Sequence, residues 1–381
     1  MYTRLLDPPT DNSYFLFGPR GTGKTTYLHE NYPKAIYIDL LQSEIYTYYL
    51  AHPENLSKNI PKNYSDFIII DEVQKVPEIL NEVHRLIESP EHYKFILTGS
   101  SARKLRRGGA NLLAGRAYIY NMHPLTIMEM GSDFDLGQDL TMGTLPACLG
   151  ASKPKEYLAS YLGSYLEQEI NQEGLTRQLP AFYRFLQVAS FSQGSPVNIT
   201  SIARETSVHA KVVDNYFQIL VDLLIGVFLP AWSRRAKRRL VVSPKFYFVD
   251  AGLYHQARPT GYLDTASEIN GIALETLFFM HLRAVNDYYR LGYSFSYFRT
   301  ASGQEIDFIA YGERGFHAFE IKLGTGFSSV WTRALTAFGK DYPEASLHLV
   351  YMGSQKLYHN NITIHPFEMI LTELSSILGG K

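Results

Sequence analysis

The run Gly18 to Thr25, GPRGTGKT, constrains this chain more than any other part of its sequence. It is a full match to the phosphate-binding loop, in which glycines turn successive backbone amides toward phosphate oxygens. Lys24 is expected to reach the β and γ oxygens, and the Thr25 hydroxyl to ligate magnesium. A chance glycine-rich turn is the alternative. An apolar strand before the run and a helix from Thr25 to Asn31 after it favour the loop, and so predict ATP and Mg²⁺ as ligands. The predicted nucleotide contacts are Gly18, Pro19, Arg20, Gly21, Thr22, Gly23, Lys24, Thr25 and Thr26.

A second apolar strand, Phe67 to Ile70, ends in the two acids Asp71 and Glu72. We expect Asp71 to hold the magnesium ion through water and Glu72 to polarise the water that attacks the γ-phosphate. A glutamate at this place favours ATPases with a base on the strand over GTPase-like switches. The alternative is an ordinary strand end with solvated acids.

A third strand, Phe95 to Leu97, leads into the hydroxyl residues Thr98 and Ser100. Ser100 is the predicted polar sensor between the γ-phosphate and the attacking water. A basic, glycine-containing stretch follows, in which Arg103 and Arg116 are candidate arginine fingers. A finger supplied by a neighbouring copy stabilises transition-state charge and requires self-association. The alternative is a solvated basic loop.

Composition narrows the class of protein. The chain has 381 residues, which predicts two or three domains, and its formal net charge of −1 gives no overall basicity that would indicate nucleic acid. A single cysteine, Cys148, excludes an internal disulfide and fits a reducing compartment. No signal peptide or membrane-spanning stretch is apparent, so we expect a cytoplasmic protein that does not enter the membrane.

The order of predicted elements indicates an α/β fold with three domains. Strands and helices alternate over residues 1–150, which predicts a P-loop NTPase domain with a mostly parallel sheet. Residues 151–255 are predicted as a helical, winged-helix domain. Residues 256–381 are predicted as an α/β domain.

Three candidate helices, 181–191, 199–206 and 210–224, precede two predicted strands, Val227 to Leu229 and Leu240 to Val242. Two short helices before a longer one, followed by a hairpin, predict a winged helix. Five cations in six positions lie between the strands and would attract a phosphate backbone without reading its sequence. Solvation of the hairpin tip and docking against the ATPase domain are the alternatives. The cations are Arg234, Arg235, Lys237, Arg238 and Arg239.

A second candidate site lies in the last region. Glu275 belongs on or beside the apolar face of a helix, and a carboxylate there is costly unless it binds something. Asp307 on one strand, with Glu320 and Lys322 two residues apart on the returning strand, completes a constellation that is typical of the restriction-endonuclease-like fold. Its carboxylates hold one or two magnesium ions, and its lysine positions or activates water. A surface Glu–Lys pair is the alternative.

The whole order resembles the prokaryotic AAA-type ATP-binding proteins with a C-terminal domain of unknown function, in which a P-loop ATPase precedes a winged helix and a restriction-endonuclease-like domain. The resemblance covers nearly the full chain and implies ATP binding and hydrolysis in the cytoplasm. It does not imply a physiological substrate. The residues that carry it are 18–25, 71–74, 97–100, 113–116, 244–245 and 250–253, with Asp307, Glu320 and Lys322.

The sequence therefore predicts an ATPase whose nucleotide state changes how its later domains engage a nucleic acid, with DNA favoured over RNA. Self-association into a homo-oligomer is left open, as is cleavage by the C-terminal site. The alternative is a nucleotide-dependent switch or scaffold that acts on proteins and carries a vestigial C-terminal site.

Overall fold

The computed structural model describes residues 2–101, 113, 115–172, 178–233, 241–262 and 264–380. The chain forms two compact units. The N-terminal unit comprises Arg4–His123 with Asp222–Leu224, and the C-terminal unit comprises Met1–Thr3, Pro124–Val221 and Ile225–Lys381.

A parallel sheet forms the centre of the N-terminal unit, with the strand order β2-β3-β4-β1-β5. Every strand pairs in parallel with its neighbours. Because β4 lies between β1 and β3, the predicted sensor strand separates the predicted phosphate-loop strand from the strand that carries the acids. The strands are β1 (Ser13–Phe17), β2 (Ile36–Asp39), β3 (Phe67–Asp71), β4 (Lys94–Gly99) and β5 (Ala117–Asn121).

Helices connect these strands, and the sequence pattern explains their packing. The fourth buries Ile79, Leu80, Val83 and Leu86 against the sheet, which is the spacing of one helical face. The α/β architecture with a parallel sheet is confirmed. The helices are α1 (Lys24–Asn31), α2 (Ser43–Ala51), α3 (Asn55–Lys58) and α4 (Ile79–Ile87).

The C-terminal unit begins with a helical region. Its first part contains α5 (Ile127–Met130), α6 (Leu136–Met142), α7 (Pro146–Leu149), α8 (Pro154–Ser160) and α9 (Leu166–Gln172), with a π-helical turn at Tyr161–Tyr165. Its second part contains α10 (Leu179–Ser192), α11 (Ile199–Thr206), α12 (Ala210–Asp222) and α13 (Ala251–Ala257).

A six-stranded mixed sheet forms the rest of this unit, in the order β12-β13-β11-β10-β9-β8. The strands β8, β9 and β10 form an antiparallel meander, and β10, β11 and β13 run parallel. The strands are β8 (Ser294–Arg299), β9 (Glu305–Gly312), β10 (Gly315–Lys322), β11 (Ser346–Tyr351), β12 (Leu357–His359) and β13 (Ile362–Pro366). The helices of this part are α14 (Ala266–Tyr288), α15 (Arg333–Asp341) and α16 (Phe367–Ile377).

The hairpin of the middle region differs from the prediction. β6 (Gly226–Leu229) pairs with β7 (Lys245–Phe248), so the predicted strand Leu240 to Val242 is wrong for the two of its residues that the structure describes. Instead, the backbone N–H of Val241 donates to the carbonyl of Arg299 on β8 at 3.0 Å. The apolar run at 240–242 misled the assignment because Val242 is 80% exposed, whereas the more aromatic β7 is fully buried.

Residues 151–255, apart from Asp222–Leu224, and residues 256–381 lie in the same compact unit, together with residues 124–150 that the sequence analysis placed in the first domain. Asp250 shows how residues far apart in sequence are joined there. It caps α13 through the N–H groups of Gly252 and Leu253, and it also accepts the N–H of Thr144 at 2.8 Å. A Cβ on Gly252 would lie 2.1 Å from the carbonyl of Met142, which requires glycine. This fastening explains the Asp250 to Leu253 motif structurally. The division into three domains stays a prediction.

Candidate functional site

The glycine-rich loop leaves the carboxyl end of β1 in the centre of the parallel sheet. Gly21 and Gly23 have φ values of 84° and 85°, in the left-handed region that glycine enters without strain. A Cβ on Gly18 would lie 2.4 Å from the carbonyl oxygen of Met122, so only glycine allows this close approach. The sequence pattern and the backbone geometry therefore agree on a tight loop at the start of α1.

Lys24 is the first residue of α1 and is only 6% exposed. Its ammonium donates to the carbonyls of Gly18 at 2.7 Å and Pro19 at 3.2 Å, so it lies along the inside of the loop. The hydroxyl of Thr22 closes the same turn by donating to Pro19 at 2.8 Å. Of the other predicted loop residues, Arg20 and Thr26 are exposed.

Asp71 lies at the carboxyl end of β3 and receives hydroxyl groups on both carboxylate oxygens. Thr25 donates to Oδ2 at 2.9 Å, Tyr37 on β2 donates to the same oxygen, and Thr98 on β4 donates to Oδ1. The structure thus joins the phosphate loop, the acidic strand and the sensor strand at one carboxylate. Tyr37 is a site residue that the sequence analysis missed, and the phenol is brought in only by the pairing of β2 with β3.

Glu72 follows with a left-handed backbone, φ 57°, which is unusual for a residue with a side chain. Its carboxylate accepts the Ser100 hydroxyl at 2.8 Å, the Ser100 N–H at 3.3 Å and the side-chain amide of Gln74. Its own N–H donates to the Thr98 hydroxyl at 3.1 Å. The predicted base and sensor are therefore in direct contact. Gln74 was missed, although its place two residues after Glu72 was a usable signal.

Magnesium fits the first of these arrangements. The Thr25 hydroxyl and an Asp71 carboxylate oxygen approach within 2.9 Å, and both are hard oxygen donors of the kind that magnesium takes while it keeps several waters. These two residues would hold the ion beside the phosphates. The ion would supply charge to neutralise the transferring phosphoryl group.

Arg116, one of the two candidate arginine fingers, lies outside this constellation. Arg103 falls outside the described residues. Arg116 precedes β5 at its amino end and pairs with Glu88 at 2.5 Å, whereas the phosphate loop follows the carboxyl end of the neighbouring β1. A strand of this length spans roughly 16 Å. Arg116 is therefore remote from the phosphate loop of its own chain.

The structure places the three predicted C-terminal acids near one another. Glu275 on α14, Asp307 on β9 and Glu320 on β10 act on one another electrostatically. Lys322 lies among them with its ammonium 2.6 Å from Glu320. Asp307 accepts the backbone N–H of Ile321 at 2.8 Å, which fixes its carboxylate against β10.

Two residues of β7 that the sequence analysis gave no role join this cluster. Lys245 is 1% exposed and its ammonium forms an ion pair with Glu305. Tyr247, two residues later, donates its hydroxyl to Glu275 at 2.9 Å. Alternate residues of a strand point to the same side, so both side chains of β7 face the acids.

The charges of this cluster shift one another's pKa. Burial, and then the charge of Asp307, raises the pKa of Glu275 to about 8, and the same two causes raise the pKa of Glu320 to about 8. Burial alone would lower the pKa of Lys322, but Glu320 and Asp307 raise it above its ordinary value. The pKa of Lys245 is likewise raised by the surrounding acids in spite of burial.

Within the described part of the chain, Glu275, Asp307 and Glu320 do not together form a metal-binding group. Among the residues that the structure describes, no group of three or more His, Cys, Asp or Glu side chains could hold a metal ion.

The predicted nucleic-acid residues Arg234, Arg235, Lys237, Arg238 and Arg239 fall outside the described residues. Within the described ranges, no helix is both long and apolar enough to cross a membrane.

Comparison with known sequence families divides the chain into three matches. Residues 10–131 match a family described as an AAA domain. Residues 134–264 match a domain of unknown function (DUF8612), and residues 270–370 match another (DUF4143). The first match covers the phosphate loop, both acids and the sensor strand.

The relatives and solved structures that resemble this chain share low sequence identity with it. Uncharacterized proteins of Mycobacterium tuberculosis and Mycobacterium bovis are each 26% identical over 374 residues, which is 94% of this chain and 80% of theirs. The Aeropyrum pernix ORC2 protein, solved in ADPNP–ADP complexes, is 11% identical with a TM-score of 0.37, over 70% of this chain and 88% of that one. Protein VC1899 of Vibrio cholerae is 13% identical with a TM-score of 0.25, over 97% of this chain and 99% of that one.

Proposed function

We propose that this chain, which carries an AAA domain at residues 10–131, is a magnesium-dependent ATPase whose nucleotide state controls its engagement of a nucleic acid. The contact between Glu72 and Ser100 is the observation that carries the proposal. It sets a carboxylate, held at 2.8 Å by the sensor hydroxyl, beside the carboxylate that the loop residue Thr25 reaches. A phosphate cradle, a metal site and a water-polarising base are the parts that hydrolysis of a nucleoside triphosphate requires.

The roles follow from the contacts. Lys24 and the loop amides bind the phosphates, and Thr25 with Asp71 holds the magnesium ion. Glu72 orients the attacking water, and the Ser100 hydroxyl holds the Glu72 carboxylate toward the carboxyl end of β4. Three donors on one carboxylate fix its direction, which is the positioning that phosphoryl transfer depends on.

ATP binding and turnover test the assignment. We expect Lys24→Ala to abolish nucleotide binding and Glu72→Gln to keep binding while turnover falls by roughly 10²-fold or more. Glu78→Gln is the matched control, because Glu78 is an exposed glutamate six positions later in the same unit. Normal hydrolysis in the Glu72→Gln protein would remove the proposed base.

Nucleic acid is the proposed partner because five of the six consecutive residues 234–239, between β6 and β7, are cationic. The described flanks of this run are fixed by two backbone hydrogen bonds. The backbone N–H of Trp232 donates to the carbonyl of Tyr297 at 2.6 Å, and that of Val241 donates to the carbonyl of Arg299 at 3.0 Å. Neutralising Arg234, Arg235, Arg238 and Arg239 together should weaken DNA binding similarly across sequences and flatten its salt dependence. Unchanged affinity and salt slope would reject this surface.

A second candidate function is a nucleotide-dependent switch that acts on a protein, with a vestigial C-terminal site. It is favoured by one observation, the ion pair of the buried Lys245 with Glu305 beside the C-terminal acids. ATP turnover with DNA, RNA or candidate proteins separates the two functions. Stimulation by DNA or RNA that is lost at high salt supports the first, and stimulation by a protein alone supports the second.

For either function, self-association is the proposed source of an arginine finger. The distance of Arg116 from its own phosphate loop supports donation to a neighbouring copy. Arg103 is the other candidate. We expect ATP turnover per chain to rise with protein concentration. The arginine whose replacement by Ala, Arg116→Ala or Arg103→Ala, lowers this turnover without loss of nucleotide binding is the finger.

A further inference from the structure

A buried lysine lies where the C-terminal acids meet. Lys245 is 1% exposed, its ammonium pairs with Glu305, and the same nitrogen lies 5.1 Å from the centre of the Tyr297 ring. Removing an ammonium from water costs several kcal/mol unless its partners compensate. Here the partners are the acids themselves, since Glu275, Asp307 and Glu305 all act on this charge.

Each carboxylate of the cluster already has a donor from the chain. Tyr247 donates to Glu275 at 2.9 Å, and the N–H of Ile321 donates to Asp307 at 2.8 Å. Lys322 pairs with Glu320 at 2.6 Å. The remaining acid, Glu305, is paired with Lys245 and also with Arg299 at 3.2 Å.

A magnesium ion does not fit this arrangement. It needs near-octahedral oxygen ligands, supplied by one or more free carboxylate oxygens and by water. Over the described ranges, no three of these acids form a group that could hold a metal. One buried oxygen, Oε2 of Glu320, has no hydrogen-bond partner. The Lys322 ammonium, which is 2.6 Å from the other oxygen of this carboxylate, repels a second cation.

We propose that Lys245 is the built-in cation of this cluster and takes the place of a divalent metal ion. The acids then fasten the hairpin of β6 and β7 to the mixed sheet, and they do not support metal-dependent cleavage of a phosphodiester. The lysine and the tyrosine are two residues apart on β7, so both side chains point to the side of the cluster, where Lys245 pairs with Glu305 and Tyr247 donates to Glu275. The proposal stands apart from the ATPase assignment, which concerns the other unit.

Manganese binding to the full-length, nucleotide-free protein tests this inference. Free Mn²⁺ is measured by electron paramagnetic resonance for wild type, Lys245→Met and a control, Lys356→Met. Lys356 is matched because its ammonium also pairs with a glutamate, Glu373, at 2.8 Å in the same unit, but at the surface. We expect Lys245→Met to gain about one Mn²⁺ site per chain, and a rise in Tm with Mn²⁺ that wild type and the control lack.

Removing the acids completes the test. Adding Asp307→Asn and Glu320→Gln to Lys245→Met should abolish the gained site, and adding them to wild type should leave Mn²⁺ binding unchanged. Any Mn²⁺ bound near Thr25 and Asp71 is common to all variants and cancels.

Two results would overturn the proposal. One is wild-type Mn²⁺ binding, or Mn²⁺-dependent cleavage of an oligonucleotide, that Asp307→Asn with Glu320→Gln removes. The other is a folded Lys245→Met protein that gains no site. If Lys245→Met does not fold, the comparison of wild type with the Asp307→Asn, Glu320→Gln protein decides alone, since equal binding supports the proposal and lower binding rejects it.

Discussion

The two acid clusters of this protein differ in what the chain offers to their carboxylates. At the nucleotide site, Asp71 and Glu72 meet uncharged donors, namely hydroxyls of Thr25, Tyr37, Thr98 and Ser100 and the amide of Gln74. In the C-terminal cluster, Glu305 and Glu320 meet the ammonium groups of Lys245 and Lys322.

The difference teaches how a carboxylate is kept available for an external cation. A hydroxyl orients a carboxylate without cancelling its charge, so an ion with two positive charges can still be attracted. An ammonium orients and neutralises at once. Neighbouring acids alone therefore do not identify a metal site, because the charge of their partners decides whether a metal is needed.

The largest effect should come from removing charge at the nucleotide site. Asp71→Asn keeps the size of the side chain and one acceptor oxygen but loses the negative charge that is proposed to hold magnesium, so we expect ATP turnover to fall by about 10²-fold or more. Asp66→Asn is the control, because Asp66 is exposed just before the other end of the same strand. Turnover is measured across magnesium concentrations. A modest loss that excess magnesium restores would show that the charge of Asp71 is not essential.

A second effect concerns the pH dependence of stability, in which buried histidines of the C-terminal unit act oppositely to its carboxylates. His317, His348 and His365 on adjacent strands form a hydrogen-bonded chain, with nitrogen separations of 3.3 and 3.1 Å. The chain begins at Tyr293, whose hydroxyl is 3.4 Å from His317 and donates to the carbonyl of Leu378.

The hydrogen bond from Tyr293 to Leu378 determines which nitrogen of each of the three histidines carries the proton. Because the tyrosine proton is committed to Leu378, His317 must donate to Tyr293 through Nε2, and the other two rings follow in the same orientation. Nδ1 of His365 is left as a buried acceptor without a partner. Burial lowers the pKa of His317 and of His365 to about 4. Burial and the neighbouring histidines lower the pKa of His348 well below its usual range.

Stability should therefore fall in acid. The unfolded rings bind protons below about pH 6.5 and the folded rings do not, so the free energy of unfolding decreases as pH falls from about 6.5 toward 4. We expect unfolding in this window to take up close to three protons per chain from these rings. His365→Gln, which keeps a donor for His348, should remove about one of them. Denaturant unfolding at several pH values measures the slope, and an unchanged slope would contradict the neutral chain.

The carboxylates give a smaller effect of opposite sign. Burial raises the pKa of Glu275 in the folded protein to about 8 from an ordinary 4.5, so its ionisation favours the unfolded state and stability declines as pH rises from about 4.5 to about 8. Glu275→Gln keeps an acceptor for Tyr247 and should stabilise the protein on the order of 2 kcal/mol at pH 8, and little at pH 4.5. Glu344→Gln, an exposed glutamate of the same unit, is the control. A variant that is equally destabilised at both pH values would show that Glu275 is needed as a charged partner.

The smallest effect concerns Tyr37, which bonds to the carboxylate that is proposed to hold magnesium. Tyr37→Phe removes one orienting hydroxyl and no charge, so we expect the magnesium concentration for half-maximal turnover to rise about tenfold. Tyr48→Phe, on an exposed tyrosine of α2, should leave it unchanged. A fall in turnover with no change in magnesium dependence would assign Tyr37 to packing alone.

The N-terminal site could be predicted closely because its chemistry is local. The glycines, Lys24 and Thr25 occupy one loop, and the two acids follow one strand, so spacing along the chain carries the geometry. The sequence did not predict Tyr37, because nothing in its strand marks it before β2 pairs with β3. The three predicted C-terminal acids lie near one another in the structure, whereas their role as a site stays a prediction. The sequence did not indicate that Lys245 lies beside them, because it comes 30 residues before Glu275 in a strand that was assigned elsewhere.

The sequence by itself determined the elements whose signal is local: the loop, the strand-end acids, the sensor strand and the helix that carries Glu275. Only the tertiary structure decided which charges face one another. Strand pairing and helix packing set the distances between residues far apart in sequence, and the electrostatic free energy of a buried group depends on those distances and on the loss of water. For that reason the acids of one unit, which meet hydroxyl groups, form a site that fits magnesium. The acids of the other unit, which meet lysines, form a cluster that is neutralised from within.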